Sequence, residues 1–200
     1  MNIRRILAVP AVYRLFREFI GSDGARQQHA DLFIRARNGD RVLDIGCGPG
    51  DILTFLPDVE YVGFDMSQDY IDAARKRFGS RGKFLCERVG KDVQAAQGLF
   101  DIALAHGVLH HLNDSEAMDL FDIAYRSLKP GGRLVTIDGC YVPGQARLAR
   151  YLLSKDRGEF VRSQPQYEAL ARSAFSNIAV HVRHDFLRVP YTHIIMECTR

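Results

Sequence analysis

Residues 42–50 read VLDIGCGPG, an apolar run that passes directly into glycines at every second position. The apolar residues predict a short buried strand. Gly46, Gly48 and Gly50 predict a tight turn whose backbone can approach a ligand without a Cβ clash. Strand, glycine loop and helix is how α/β folds present a cofactor site at the carboxyl ends of their strands. The stretch therefore predicts an α/β domain with a nucleotide-like ligand, and a turn without any ligand is the alternative for the loop taken alone.

Acidic residues beside the glycine loop narrow the kind of ligand. A dinucleotide loop would read GxGxxG and place a helix N-terminus against a pyrophosphate. Here Asp51 stands where that pattern has its last glycine, and its carboxylate would repel a pyrophosphate. Asp44, just before the glycines, suits a ligand with a cationic amino group. Asp65, at the end of the next predicted strand, can accept hydrogen bonds from two ribose hydroxyls.

Strands and helices alternate around this loop, which predicts a mainly parallel sheet covered by helices. The predicted strands of this alternating part cover residues 41–45, 61–64, 83–86, 100–105 and 133–137. Two later strands, 177–183 and 193–198, are joined by a short connection and predict an antiparallel pair. Ser67 and the capping box of Asn113 and Glu116 predict two helix starts. Further helices are predicted at residues 11–20, 26–37, 51–56, 144–154 and 166–175.

Composition points to one globular domain without an obvious charged partner. The chain has 200 residues, 46% of them hydrophobic, and 27 basic against 24 acidic residues. This balance is too mild to indicate nucleic acid or an anionic membrane. The N-terminus is a poor signal peptide and no apolar run reaches about 18 residues, so we expect a cytoplasmic protein without a membrane-spanning helix. Four scattered cysteines indicate free thiols rather than a zinc site or disulfides: Cys47, Cys86, Cys140 and Cys198.

Four motifs in this order resemble the class I S-adenosylmethionine-dependent methyltransferases. They are VLDIGCGPG, VGFDMS at 62–67, FDIALAHGVLHHL at 100–112 and LKPGGRLVTID at 128–138. They look most like the branch of the ubiquinone/menaquinone-biosynthesis enzymes and many small-molecule methyltransferases. The resemblance implies a Rossmann-like, seven-stranded, mostly parallel sheet with helices on both faces and the last strand antiparallel. It also implies methyl transfer from S-adenosylmethionine to oxygen, nitrogen or carbon of a small molecule, leaving S-adenosylhomocysteine.

The same resemblance assigns parts of the cofactor to residues of this chain. The glycine loop would lie along the methionine and ribose, Asp65 would hold the ribose hydroxyls, and Met66 would pack on the adenine. The family often has an Asp after the third strand, where this chain has Arg88 beside Glu87. Either Glu87 substitutes, or backbone and packing hold the adenine, with the Val89 amide. The predicted cofactor residues are Asp44, Gly46, Cys47, Gly48, Gly50, Asp65, Met66, Glu87, Arg88, Val89, Ala105 and His106.

Three histidines follow the fourth strand, at the mouth of the predicted site. Histidine is the side chain best suited to take a proton near neutral pH, so His110 or His111 is a candidate catalytic base. The alternative is that one of them only packs or hydrogen-bonds to hold the loop. No metal site is predicted, because neither His106 with His110 nor Asp138 at the end of the fifth strand has a clear further ligand.

The acceptor site is expected between the N-terminal helices and the insertion after the fifth strand. Tyr13, Tyr141 and Arg147 are the candidate acceptor-binding residues. A basic helix would carry Arg147, Arg150 and Tyr151 on one side, with Leu148, Leu152 and Leu153 opposite. This favours an acidic or lipid-like acceptor, and the alternative is a solvated basic face. Motifs typical of nucleobase-amine or cytosine methylation do not follow the fourth strand, so no nucleic-acid partner is expected.

The predicted layout is a single methyltransferase domain in four parts. Residues 1–39 form an N-terminal helical cap, 40–138 the cofactor-binding core, 139–165 a lid for the substrate, and 166–200 a helix and strand pair. Two alternative functions stay open: a non-catalytic S-adenosylmethionine-binding module, and a methyltransferase acting on RNA or protein.

Overall fold

The computed structural model describes residues 23–93, 97–155 and 158–200. The helix predicted at 11–20 lies outside them. Helix α1 (Asp23–His29) continues as a π-helical segment, Ala30–Ile34. Arg35 then adopts a left-handed conformation with φ of 49° and donates its backbone N–H to the Ala30 carbonyl. The helix predicted to run to residue 37 therefore ends three residues earlier, because Arg35 turns the chain out of it.

One sheet forms the centre of the molecule. Its strands are β1 (Arg41–Ile45), β2 (Glu60–Asp65), β3 (Gly82–Cys86), β4 (Phe100–His106), β5 (Leu128–Tyr141), β6 (Arg162–Ser163), β7 (Asn177–Arg183) and β8 (His193–Thr199). The order is β3-β2-β1-β4-β5-β8-β7, with β6 beside the end of β5. The pairs from β3 to β5 are parallel, and β8 is antiparallel to both β5 and β7. This confirms a mostly parallel sheet with an antiparallel last strand, and β6 adds an eighth strand to the predicted seven.

Strand β5 is much longer than the predicted 133–137. It begins directly after a helix at Leu128 and includes the Lys-Pro-Gly-Gly segment, next to a register irregularity in β4. A Cβ at Gly132 would lie 3.0 Å from the Asp101 carbonyl oxygen, so the two backbones approach closely here. At its other end β5 continues past Asp138 to pair with β6. Asp138 is thus inside the strand rather than at its end, a correction that matters for the site.

The helices begin where their capping residues predict. Ser67 accepts the Tyr70 N–H at the start of α2 (Gln68–Phe78), and Asn113 forms the predicted capping box with Glu116 at α3 (Asp114–Ser127). Two shorter helices follow, α4 (Arg147–Ser154) and α5 (Gln164–Ala171). Short 3₁₀ helices cover Asp51–Phe55, Gly79–Arg81 and Leu109–His111. The helix predicted at 51–56 is one of these.

The sheet is buried on both faces. In β1, Val42 packs in one apolar cluster, whereas Leu43 and Ile45 pack in another. Successive side chains of a strand point to opposite faces, so the two clusters lie on either side of the sheet. Within the described residues no helix is long and apolar enough to cross a membrane.

Candidate functional site

The glycine loop after β1 is held against the end of β2. Gly46 and Cys47 both donate their backbone N–H to the Phe64 carbonyl, at 2.8 and 2.9 Å. Gly46, Gly48 and Gly50 have φ of 75°, 54° and 73°, a region that favours glycine. A Cβ at Gly46 would lie 2.6 Å from Val108 Cγ2, whereas a Cβ at Gly48 would meet nothing within 4 Å. The loop is therefore tightly packed at Gly46 and open at Gly48.

Asp65 lies at the end of β2 beside this opening. Its carboxylate accepts the Gly48 N–H at 2.9 Å on one oxygen and the Ser67 N–H at 2.8 Å on the other. Each oxygen keeps a second lone pair, so the group can still accept two hydroxyl hydrogens. Met66 follows with a 76% exposed side chain, which is free to cover a planar ring. The contacts predicted for these two residues, with a ribose and an adenine, stay predictions.

Asp44 is buried beneath the loop, only 2% exposed. Tyr61 donates its hydroxyl to Oδ2, while Oδ1 is buried without a hydrogen-bond partner among the described residues. Burial raises the pKa of Asp44 to about 7, and the nearby charge of Asp65 adds to this shift. A buried acceptor atom without a donor, beside an open glycine loop, fits the amino group of an amino-acid ligand. Tyr61 had no signal in the sequence beyond its place in a strand.

The remaining predicted cofactor residues lie around the same ends of the strands. Cys47 packs on β2, where a Cβ at Gly63 would lie 2.8 Å from its Sγ, and burial raises the pKa of its thiol. Arg88 is exposed and lies 3.9 Å from Glu116. The side chains of Val89 and Ala105 are buried in the core, so only their backbone atoms are available to a ligand.

His110 forms a buried pair with Asp138. Its ring Nδ1 lies 2.7 Å from Asp138 Oδ1, and its backbone N–H donates to the same oxygen at 3.1 Å. The His111 ring lies beside it, tilted by 43° with 4.2 Å between the centroids, but His111 is exposed. From the sequence, His110 and His111 were equally good candidates for the catalytic base. The parallel register of β4 and β5, which pairs His106 with Ile137, brings Asp138 to the loop that carries His110.

Residues 158–163, here called the strap, cover the His110 loop. Phe160 donates its N–H to the His110 carbonyl at 3.0 Å, and a Cβ at Gly158 would lie 2.1 Å from His110 Cδ2. The Arg162 side chain is only 7% exposed. It donates to the carbonyls of Leu109, Leu112 and Phe160 and to the Asp114 carboxylate. Arg162 lies within the predicted lid, residues 139–165, and the burial of its side chain was not predicted from the sequence.

The end of β4 carries a second histidine contact. His106 Nε2 lies 3.3 Å from Nε2 of His29, the last residue of α1. His29 is 5% exposed. His106 was a predicted site residue, whereas His29, 77 residues away in the chain, had no predicted role.

The structure does not bring the predicted acceptor-binding residues together in one site. Tyr13 lies outside the described residues. Tyr141, at the end of β5, is half-buried under the Arg150 guanidinium, which lies 5.2 Å from its ring centroid. Arg147 is exposed at the start of α4. Leu148 is 53% exposed, whereas Ala149 and Leu153 are buried, so Leu148 does not share a buried side of the helix with Leu153.

A cavity and the search for metal ligands both give information on the extent of the site. The cavity lined by Ala30, Arg35, Phe55 and Pro57 lies at the amino ends of β1 and β2, away from the glycine loop. Within the part of the chain that the structure describes, no three His, Cys, Asp or Glu residues group to hold a metal ion.

Comparisons with known proteins agree with this arrangement. Residues 42–132 match the family model described as a methyltransferase domain. Phosphoethanolamine N-methyltransferase 1 of Triticum aestivum is 30% identical over 160 residues, which are 76% of this chain and 31% of that protein. The ubiquinone/menaquinone biosynthesis C-methyltransferase of Desulfotalea psychrophila is 31% identical over 114 residues, 53% of this chain and 46% of that protein.

Among solved structures, phosphoethanolamine N-methyltransferase 2 of Haemonchus contortus, in complex with phosphomonomethylethanolamine and S-adenosylhomocysteine, has the same fold. It aligns with a TM-score of 0.73 at 16% identity and covers 100% of this chain and 61% of that chain. The chain spans about a third of the length of the first curated relatives it matches.

Proposed function

We propose that the chain is a class I S-adenosylmethionine-dependent methyltransferase, and that it transfers a methyl group from S-adenosylmethionine to a small-molecule acceptor, leaving S-adenosylhomocysteine. One observation carries the proposal. The Asp65 carboxylate accepts the Gly48 N–H beside the buried Asp44. Gly46 packs on Val108, two residues before His110, whose ring contacts Asp138. The cofactor supplies a methyl group on a sulfonium, which is a good leaving group.

The residues present fit this cofactor. The Oδ1 atom of Asp44 would accept the cofactor's ammonium group, and the two oxygens of Asp65 would accept the ribose hydroxyls. Gly48 would let the backbone lie along the ligand. Met66 would cover the adenine from the solvent side. With Arg88 near Glu116, the adenine edge would be held by packing and the Val89 amide.

His110 is the residue we propose as the proton acceptor. Asp138 fixes the ring through Nδ1 and would stabilise the positive charge that the imidazole gains with a proton. The strap covers the ring from the other side through Gly158, which limits access of water. His111 is exposed, whereas His110 is buried against Asp138, and this difference in burial favours His110 as the base.

For the acceptor, we propose a small molecule that carries an anionic group, such as the phosphate of phosphoethanolamine. The relatives named for that substrate and the cations of the lid support this. Within the predicted lid, residues 143–155 contain Arg147, Arg150 and Lys155 and no acidic residue. Placement in a reducing cytoplasm agrees with the free cysteines.

Titration calorimetry with S-adenosylhomocysteine tests the cofactor proposal. The wild type should bind, and Asp65→Ala should bind at least tenfold more weakly, because hydrogen bonds to a charged group contribute about 1.5–3 kcal/mol each. Asp58→Ala is the matched control: an exposed acid just before β2, whereas Asp65 ends it. Absence of binding by the wild type, or equal binding by Asp65→Ala, would refute the proposal.

Acceptor chemistry is tested by formation of S-adenosylhomocysteine in the presence of phosphoethanolamine or ethanolamine. We expect turnover only with the phosphorylated compound, and a raised KM in Arg147→Ser and Arg150→Ser. Lys76→Ser, an exposed cation on α2, is the control. Equal rates with both compounds would contradict an anionic acceptor. Cofactor binding without any methylated product, across a wider panel of small acceptors, would favour a non-catalytic binding module.

A further inference from the structure

The imidazoles of His29 and His106 join two distant parts of the chain at the carboxyl end of β4. Their Nε2 atoms are 3.3 Å apart, and the rings meet edge to face with centroids 4.9 Å apart. His29 ends α1, and His106 ends β4, the strand whose carboxyl end faces the proposed site. A contact of this length between two ring nitrogens is a hydrogen bond only if one nitrogen carries the hydrogen and the other a lone pair.

His29 sits in an apolar environment that disfavours its charged form. The Phe33 and Phe186 rings lie 5.6 and 5.8 Å from its ring centroid. Burial, and to a lesser extent the charge of Arg183, lowers the pKa of His29 to about 4. The charged and titratable groups on the strand and loop packed here are Arg183, which pairs with Asp185, and His181, which pairs with Glu197. At neutral pH His29 is therefore an uncharged imidazole.

The other nitrogen of His29 decides which ring donates. Nδ1 is buried and has no hydrogen-bond partner among the described residues. A buried N–H without an acceptor is rarer in proteins than an acceptor without a donor. The proton of His29 therefore belongs on Nε2, where it meets a partner, and the lone pair belongs on Nδ1, among the aromatic rings.

We propose that His29 is a positioning residue for His106: its Nε2–H donates to Nε2 of His106 and so holds His106 with its own proton on Nδ1. This rests on the proposed function, because His106 ends β4, the strand whose carboxyl end faces the proposed site. His106 then offers the acceptor site an N–H donor, and proton removal falls to His110. The two histidines divide the work: one orients the acceptor, and the other takes its proton.

Nitrogen-15 NMR of histidine-labelled protein tests the proposal without any substrate. The chain has seven histidines, so the ring signals can be assigned by single substitutions, with His106→Gln identifying the pair. In the wild type at pH 7 we expect His29 protonated on Nε2 and His106 on Nδ1. In His29→Phe the His106 signals should move toward the Nε2–H form, and in His29→Gln, which keeps a side-chain N–H donor, they should stay. His106 protonated on Nε2 in the wild type, or unmoved in His29→Phe, would overturn the proposal.

A kinetic readout separates positioning from mere structural support. With a turned-over acceptor, His29→Phe should raise KM about tenfold, the effect of one lost hydrogen bond, with kcat changed less, and His29→Gln should restore most of it. Binding of S-adenosylhomocysteine should stay unchanged in both variants. A fall in kcat with KM unchanged, or no recovery in His29→Gln, would refute positioning. Loss of cofactor binding in the wild type would instead refute the proposed function and leave the NMR result standing.

Discussion

His110 and Asp138 meet twice: the ring Nδ1 lies 2.7 Å from Asp138 Oδ1, and the His110 backbone N–H reaches the same oxygen at 3.1 Å. One buried carboxylate oxygen thus sets both the course of the loop and the rotation of the ring. The Asp138 side chain is completely buried and that of His110 is 11% exposed, so the pair is shielded from water. Within the described residues, this is the arrangement that most resembles a built proton acceptor.

Asp138→Asn should therefore impair turnover far more than cofactor binding. Without the carboxylate, nothing equivalent stabilises the protonated ring, and we expect kcat to fall about 10²–10⁴-fold, the usual contribution of a general base. His110→Asn should fall by a similar factor, and the exposed neighbour variant His111→Asn should stay within a few-fold of the wild type. Full turnover in Asp138→Asn, with normal binding of S-adenosylhomocysteine, would show that the pair only holds the loop.

The two glycines of the loop should differ in what an added methyl group costs. Both have positive φ, which costs an alanine about 1–2 kcal/mol. Gly46→Ala also brings a Cβ to 2.6 Å from Val108, and such overpacking costs about 1–3 kcal/mol more. Urea unfolding should thus rank Gly46→Ala below Gly48→Ala in stability, whereas Gly48→Ala should mainly weaken binding of S-adenosylhomocysteine. Equal free energies of unfolding would contradict the packing at Val108.

A feature could be predicted from the sequence when the residues that form it lie close together along the chain. The glycine loop, Asp44 and Asp65 lie in short motifs whose geometry is local to one strand and its turn, and the structure places them together. The mostly parallel sheet and the antiparallel pairing of β7 with β8 also follow from the alternation of elements and a short connection. These features could be predicted because each depends on neighbours in the chain.

The features that the sequence could not show join distant segments. Arg162 contacts the loop about 50 residues earlier, and His29 contacts His106 across 77 residues. A lone arginine or histidine carries no periodicity, so its burial depends on the assembled sheet. Asp138 is intermediate: it was noted, but its pairing with His110 follows from the register between β4 and β5, which sequence alone does not fix.

Cofactor affinity should depend on pH through Asp44. Its pKa of about 7 means that the carboxyl is largely protonated at pH 6 and largely ionised at pH 7.5. Only the ionised form attracts a cationic amino group, so S-adenosylhomocysteine should bind more tightly as pH rises, by somewhat under tenfold over this range. Asp44→Asn should bind more weakly and without this dependence. An identical pH dependence in calorimetric titrations of both proteins would assign the effect to another group.

Arg162 should hold the strap against the loop that carries His110. Arg162→Met leaves three carbonyls without their donor and should lower the free energy of unfolding by about 2–4 kcal/mol. Its partner Asp114 is 73% exposed in its side chain, so Asp114→Asn should cost under about 1 kcal/mol. Urea denaturation measures both. A similar small loss in the two variants would mean that solvent replaces Arg162 in its contacts with the backbone.

His29 should make the stability of the protein depend on pH in a definite direction. Its pKa is lowered from 6.5 to about 4 in the folded protein, so between these values the unfolded chain binds more protons. Stability is then fully present above pH 6.5 and is lost as pH falls toward 4, by about 3 kcal/mol for the full shift. The raised pKa of Asp44 has the opposite effect on stability over a similar pH range. This effect is the same in the wild type and in a His29 variant, because both contain Asp44.

The test therefore compares how the free energy of unfolding changes with pH in the wild type and in a His29 variant. Urea unfolding of the wild type and of His29→Phe, at pH 7.5 and pH 5, should show that acidification lowers the wild-type stability more than that of the variant, because only the wild type must keep a histidine neutral. His111→Asn, at an exposed ring, should keep the wild-type dependence. If His29→Phe loses as much stability on acidification as the wild type, His29 is not held neutral, and its role as a donor to His106 fails with it.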